Sequence, residues 1–97
     1  MPEPQAEFVI AASFRLPGLG LLVLPTLPAP TWLADYALHT ALAIKLLVEG
    51  LQPIPLTGTV EELAHANQPV QRALLLDFAP DTPLPIGTRL EVTEALP

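Results

Sequence analysis

EFVIAASFRLPGLGLLVL, Glu7 to Leu24, is the stretch whose reading decides the fold. Phe8, Ile10, Ala12 and Phe14 fall on one side and Val9, Ala11 and Ser13 on the other, the period-two pattern of a β-strand over Glu7–Phe14. Leu21–Leu24 is a second short apolar strand. Between them LPGLG supplies a proline and two glycines, residues that build tight turns and accept a positive φ. The stretch therefore predicts a hairpin closed by Pro25. A phosphate-cradling loop also uses spaced glycines, but it needs a lysine and a following helix. Here an apolar strand follows and no lysine is near.

Working outward, thirteen prolines cut the chain into short segments, because each removes an amide donor and disfavours helical geometry at the residue before it. Pro25–Pro30 is a proline-rich connection. Thr31–Glu49 carries two signals. Thr31 is a suitable cap for a helix starting at Trp32, Ala and Leu favour helix, and Gly50 would end it. Yet Leu42, Ile44, Leu46 and Val48 alternate with Ala41, Ala43, Lys45 and Leu47, which predicts a half-buried strand over Ala41–Val48 and leaves room for a short helix only in 31–39. Leu51–Leu56, with Pro53 and Pro55, reads as a loop or an edge. Thr57–Leu63 is strand-like, with a helical turn expected over Glu61–His65. Arg72–Phe78 and Thr88–Val92 are the remaining strands, separated by a turn rich in Pro, Asp and Gly. The expectation is one mostly β domain over residues 1–97, with 1–6 as a flexible N-terminus. About six short strands would form a small closed or partly open barrel.

Composition narrows the function. A chain of 97 residues has room for one core and buries about 60–65% of the surface that its unfolded form exposes. Half of it is hydrophobic (51%) and only 14% is charged, so a core is affordable in sequence terms and no segment reads as disordered. A spanning helix needs about 20 mostly apolar residues. Prolines break one apolar run and Lys45 another, so a membrane helix is not expected. The acidic, proline-bearing start lacks the features of a signal peptide, which makes cytoplasmic residence the expectation. Cysteine is absent, which removes disulfides, thiolate metal sites and Cys nucleophiles. Net charge is −6, and the four cations Arg15, Lys45, Arg72 and Arg89 stand singly among ten carboxylates. Phosphate-backbone binding needs clustered cations, so nucleic acid is a poor partner.

In segment order the chain resembles the β-barrel second domain of translational GTPases of the elongation factor Tu type. FVIAASFRLPGLGLLVL is similar to that family's opening strand, aromatic residue, turn and Gly-x-Gly. ALAIKLLVEG with TGTVEEL looks like its middle strands, and QPVQRALLLDFAPDTPLPIGTRLEV like its closing pair. The resemblance covers Glu7 to Val92 and implies a barrel standing alone. Leu19 occupies the middle of Gly-x-Gly, where the family usually has a basic residue, and Pro25–His39 is longer and more apolar than the family's connection. No G-x-x-x-x-G-K-S/T exists, so no nucleotide hydrolysis is expected. The family's tRNA-end pocket residues find no match here.

No constellation commits the chain to catalysis. Asp35 and His39 have i, i+4 spacing, half of a general-base arrangement if helical. Glu61, Glu62 and His65 have metal-ligand spacing if helical, but no further His or Cys completes a site. Asp77 in RALLLDF is either an edge charge or a buried carboxylate with a shifted pKa. Thr57, Thr59 and Thr88 have no evident base. Trp32 and Tyr36, beside LPTLPAP, are either anchors of a protein interface or a plug at one end of the barrel. Arg15, isolated among apolar residues, is expected to pair with a carboxylate on the barrel surface. The sequence thus predicts a non-catalytic binding or protein-interaction module without cofactor or metal. Its binding residues are Arg15, Trp32 and Tyr36, and its partner is another protein or a second copy of itself. A small-molecule-binding barrel is the first competing reading, and a hydrolase using His39 or His65 the second.

Overall fold

The opening hairpin forms as two antiparallel strands, β1 (Ala6–Leu16) and β2 (Gly20–Pro25), with Phe14 opposite Leu22 and Leu16 opposite Gly20. Gly20 has φ +131°, and a Cβ there would run into the Leu76 carbonyl oxygen of the neighbouring strand. Only glycine lets β2 begin this close to its neighbour. In the computed structural model the described residues are 6–64, 66–78, 80 and 84–96. Of the N-terminus expected to be flexible, 1–6, Ala6 opens β1 and the rest falls outside them, as do the roles considered for His65.

The strict alternation expected along β1 is interrupted. Ile10 stands opposite Pro25 but Ala12 opposite Leu24, so one extra residue is accommodated between them as a β-bulge. The bulge lies where β1 changes neighbours: Ala6–Val9 pair with the last strand and Ile10–Leu16 with β2. A bulge bends and twists its strand, which suits a barrel corner. It also reverses the side-chain phase. Phe8 and Ile10 are fully buried, whereas Phe14 is 48% exposed on the outer face. Arg15, opposite the core residue Leu21, takes the inner-face phase at the rim. The sequence reading that put Ala12 and Phe14 with Phe8 and Ile10 is thereby corrected.

Four further strands follow: β3 (Ala41–Leu47), β4 (Ile54–Leu63), β5 (Gln71–Leu76) and β6 (Arg89–Ala95). Every neighbouring pair is antiparallel, and the order β1-β2-β5-β4-β3-β6 closes on itself as a six-stranded barrel. Strands β3, β4 and β5 are joined in succession and β6 returns to lie beside β3, the Greek-key pattern. Closure leaves no long open edge to pair with another chain. Pro55 is tolerated inside β4 because its stretch pairs with β3 alone; pairing with β5 starts only at Gly58.

The interior is filled by alternate residues of all six strands, among them Phe8, Val23, Ile44, Val60, Leu74 and Leu90, with Leu33 entering from a connection. Each fully buried side chain of this kind contributes about 1.5–3 kcal/mol of transfer free energy. No polar side chain is buried among the described residues. No helix is long and apolar enough to cross a membrane among them either.

The strand expected over Ala41–Val48 forms and the short helix allowed in 31–39 is a 3-10 turn, while the helical turn expected from Glu61 gives way. Thr31–Glu49 divides into a 3-10 turn, Thr31–Asp35, and strand β3, and no side chain caps the turn. The propensity of Ala and Leu for helix loses to the alternation of Leu42, Ile44 and Leu46, which lets β3 bury one face between β4 and β6. Glu61–Leu63, read as the start of a helical turn, belongs to β4, extended opposite Ala73, Arg72 and Gln71.

Candidate binding site at the plugged end of the barrel

The β2–β3 connection, residues 26–40, crosses the end of the barrel at which β1 begins, and its 3-10 turn lowers Leu33 into the core at 1% exposure. Trp32 packs its ring against Phe8 at 6.5 Å and meets Tyr36 edge-on at 6.2 Å. Its indole N–H donates to the Glu7 carbonyl, N···O 3.2 Å. Both aromatics are part-buried against the core. The structure therefore brings Trp32 and Tyr36 together as part of the plug.

Arg72 completes this end. It stands opposite Glu62 on the inner-face phase of β5 and β4, its Nε lies 3.7 Å from a Glu62 oxygen, and its guanidinium donates to the Tyr36 carbonyl at 2.8 Å. This ties the connection to the sheet and commits the charge of Arg72 within the protein. Beside it runs a cleft of about 450 Å³ between the β2–β3 connection and the β4–β5 connection. Pro25, Pro30 and Leu33 form part of the floor, while Leu27 and Val70, 67% and 56% exposed, stand on its walls. Gln68 and Gln71 also line it, and Arg72 is the one charged residue of the lining among the described residues. The cleft is thus apolar, with a few neutral donors and acceptors, the usual chemistry of a binding pocket.

Arg15 is at the opposite end. It borders a hollow of about 560 Å³ with the Pro17–Gly20 turn, Asp77 and Phe78. The expected ion pair is missing: among the described residues Arg15 has no carboxylate partner, while Arg72 and Arg89 are paired with Glu62 and Glu7. Asp77 is exposed just past β5, its backbone N–H donating to the Thr57 carbonyl at 2.8 Å, so it is not a buried carboxylate.

Asp35 and His39 do not share a helix, since the turn ends at Asp35 and His39 adopts φ 69°. The His39 Nδ1 instead lies 3.1 Å from Glu61, whose carboxylate also accepts from the Thr59 hydroxyl at 2.8 Å. Glu61 faces outward and Glu62 faces Arg72, so strand geometry separates the two carboxylates that helical spacing would have united. The imidazole is 74% exposed on the outer wall and lines neither hollow. Among the described residues no three His, Cys, Asp or Glu side chains converge as a metal site.

The cleft residues Leu27, Val70 and Gln71 are absent from the sequence reading. Their signal was the pairing of two proline-marked connections, LPTLPAP and NQPVQR, which single-segment reading treats separately. The chain matches no family model, no curated protein and no solved structure.

Proposed function

We propose that the chain is a non-catalytic interaction barrel, related in type to the second domain of translational GTPases, and that it takes an apolar, uncharged segment of a protein partner into the cleft at the plugged end. The observation that carries this reading is the cleft itself. An apolar floor flanked by Gln68 and Gln71 suits an extended peptide, whose side chains fill the floor and whose backbone offers donors and acceptors. Arg72 is already engaged by Glu62 and Tyr36, which favours a neutral ligand over an anion. The family resemblance rests on the segment order of the sequence, and cytoplasmic residence is part of the same proposal.

Isothermal titration against a panel of eight-residue peptides rich in Leu, Val and Pro tests it. Binding to the native protein and its loss in Leu27→Asp/Val70→Asp, with an unchanged melting temperature, is the expected result. No binding up to millimolar peptide, or equal binding to the variant, overturns it. If small apolar molecules bind where peptides do not, the small-molecule reading replaces it. The His39–Glu61 contact is the feature that favours the hydrolase reading. Hydrolysis of a model ester abolished by His39→Ala would establish that reading.

A further inference from the structure

At the Arg15 end of the barrel two opposite charges border one hollow without meeting. Arg15 and Asp77 both line the space of about 560 Å³ beside the Pro17–Gly20 turn. No ion pair joins them, and neither has another charged partner among the described residues. Arg15 stands in register with Leu21 and Leu21 with Leu76, so two strand spacings, about 10 Å, separate the Arg15 backbone from the end of β5. The close approach of Gly20 to the Leu76 carbonyl sets the hairpin turn against that end, and the Asp77 N–H is held by the Thr57 carbonyl at 2.8 Å. Leu16, Leu19 and Phe78 supply the apolar part of the lining, and Phe78 is itself packed against the core.

We propose that this hollow binds a small apolar zwitterion, a free amino acid or a dipeptide, with its carboxylate on Arg15 and its ammonium on Asp77. The charges decide the class of ligand. A simple anion gains Arg15 but meets Asp77 and the −6 of the whole chain, while a simple cation gains Asp77 but meets Arg15. A neutral molecule leaves both charges unpaired. A zwitterion satisfies both at once, and the planar guanidinium suits a carboxylate through two parallel hydrogen bonds. The apolar side chain of the ligand then lies against Leu16 and Phe78. An eight-residue peptide does not make this pairing, because its termini stand about 26 Å apart when extended. The site is therefore separate from the cleft, so its failure leaves the peptide proposal standing, and the reverse also holds.

Amide NMR titration of the native protein with L-leucine and with leucyl-leucine, each to roughly 50 mM, tests the proposal. A dissociation constant on the order of millimolar is expected, as suits two exposed ion pairs, with shifts at Gly18, Leu19 and Phe78 and none at Leu27 or Val70. Whichever of the two binds more tightly identifies the source of the zwitterion. The N-acetyl and the C-amide derivative of each, which lack one charge, should bind about fivefold more weakly. Arg15→Gln and Asp77→Asn, both exposed positions, should weaken binding of the uncapped ligand by about the same factor. No binding of either ligand, capped derivatives that bind as well as the zwitterion, or indifference to either substitution overturns the proposal.

Discussion

At Gly58 an added Cβ would lie 2.7 Å from Ile44 Cδ1 and 3.1 Å from Leu76 Cδ2, on the inner-face register shared with Leu42 and Leu76. Both neighbours belong to the filled interior, so neither has free space to retreat into. Gly58→Ala is expected to lower stability by about 1–3 kcal/mol through overpacking, read as a shift of the urea midpoint with an unchanged slope. Trp32 acts at the same scale from the other side. Its removal takes away the contacts to Phe8 and Tyr36 and part of the packing on the core, so Trp32→Ala should cost about 2 kcal/mol, less than a fully buried tryptophan because the ring is only part-buried. Neither role was legible in the sequence. TGTVEEL shows a glycine in a strand without showing which atoms cross it, and the sequence left Trp32 divided between plug and interface anchor.

At the scale of elements, the bulge in β1 and the 3-10 turn are the two irregular pieces, and each answers a demand of closure. The bulge bends β1 from β6 onto β2 and sets Phe14 outside and Arg15 at the rim. Deleting Ala11 would remove the extra residue and straighten β1, leaving Phe14 on the outer face and Arg15 on the inner one. A straight β1 loses the bend that carries it from β6 onto β2 at the barrel corner. The deletion is expected to lower the melting temperature by roughly 12 °C or more, corresponding to about 3 kcal/mol, as measured by calorimetry. The sequence predicts β1 and β2 well because alternation and turn residues are local signals. It misses the bulge because an inserted residue among EFVIAASF leaves no compositional mark. The turn at Thr31–Asp35 is half legible: Pro30 ends the preceding connection, but whether Ala and Leu continue as helix is decided by β4 and β6, which lie beside β3 in space and not in sequence.

At the scale of the whole molecule, the sequence reading carries the architecture further than the site. Short alternating segments punctuated by proline and glycine lead to a six-stranded barrel, and the closed antiparallel order bears that out. The site is assembled by topology. Trp32 and Tyr36 meet at one end, Arg15 borders the other, and the cleft joins residues 25–34 to 68–72 across more than thirty positions of chain, or roughly so, a separation that period and propensity cannot bridge. Because Leu27 and Val70 belong to different connections, a ligand that spans the cleft must perturb both connections together. The most direct test is a two-dimensional amide NMR titration of the native protein with the tightest peptide of the panel. The account predicts that the amides of Leu27, Leu33, Val70 and Gln71 shift in concert while those of Arg15, Gly18 and Leu19 stay in place. Shifts confined to the Arg15 end of the barrel, or none at all, would contradict it.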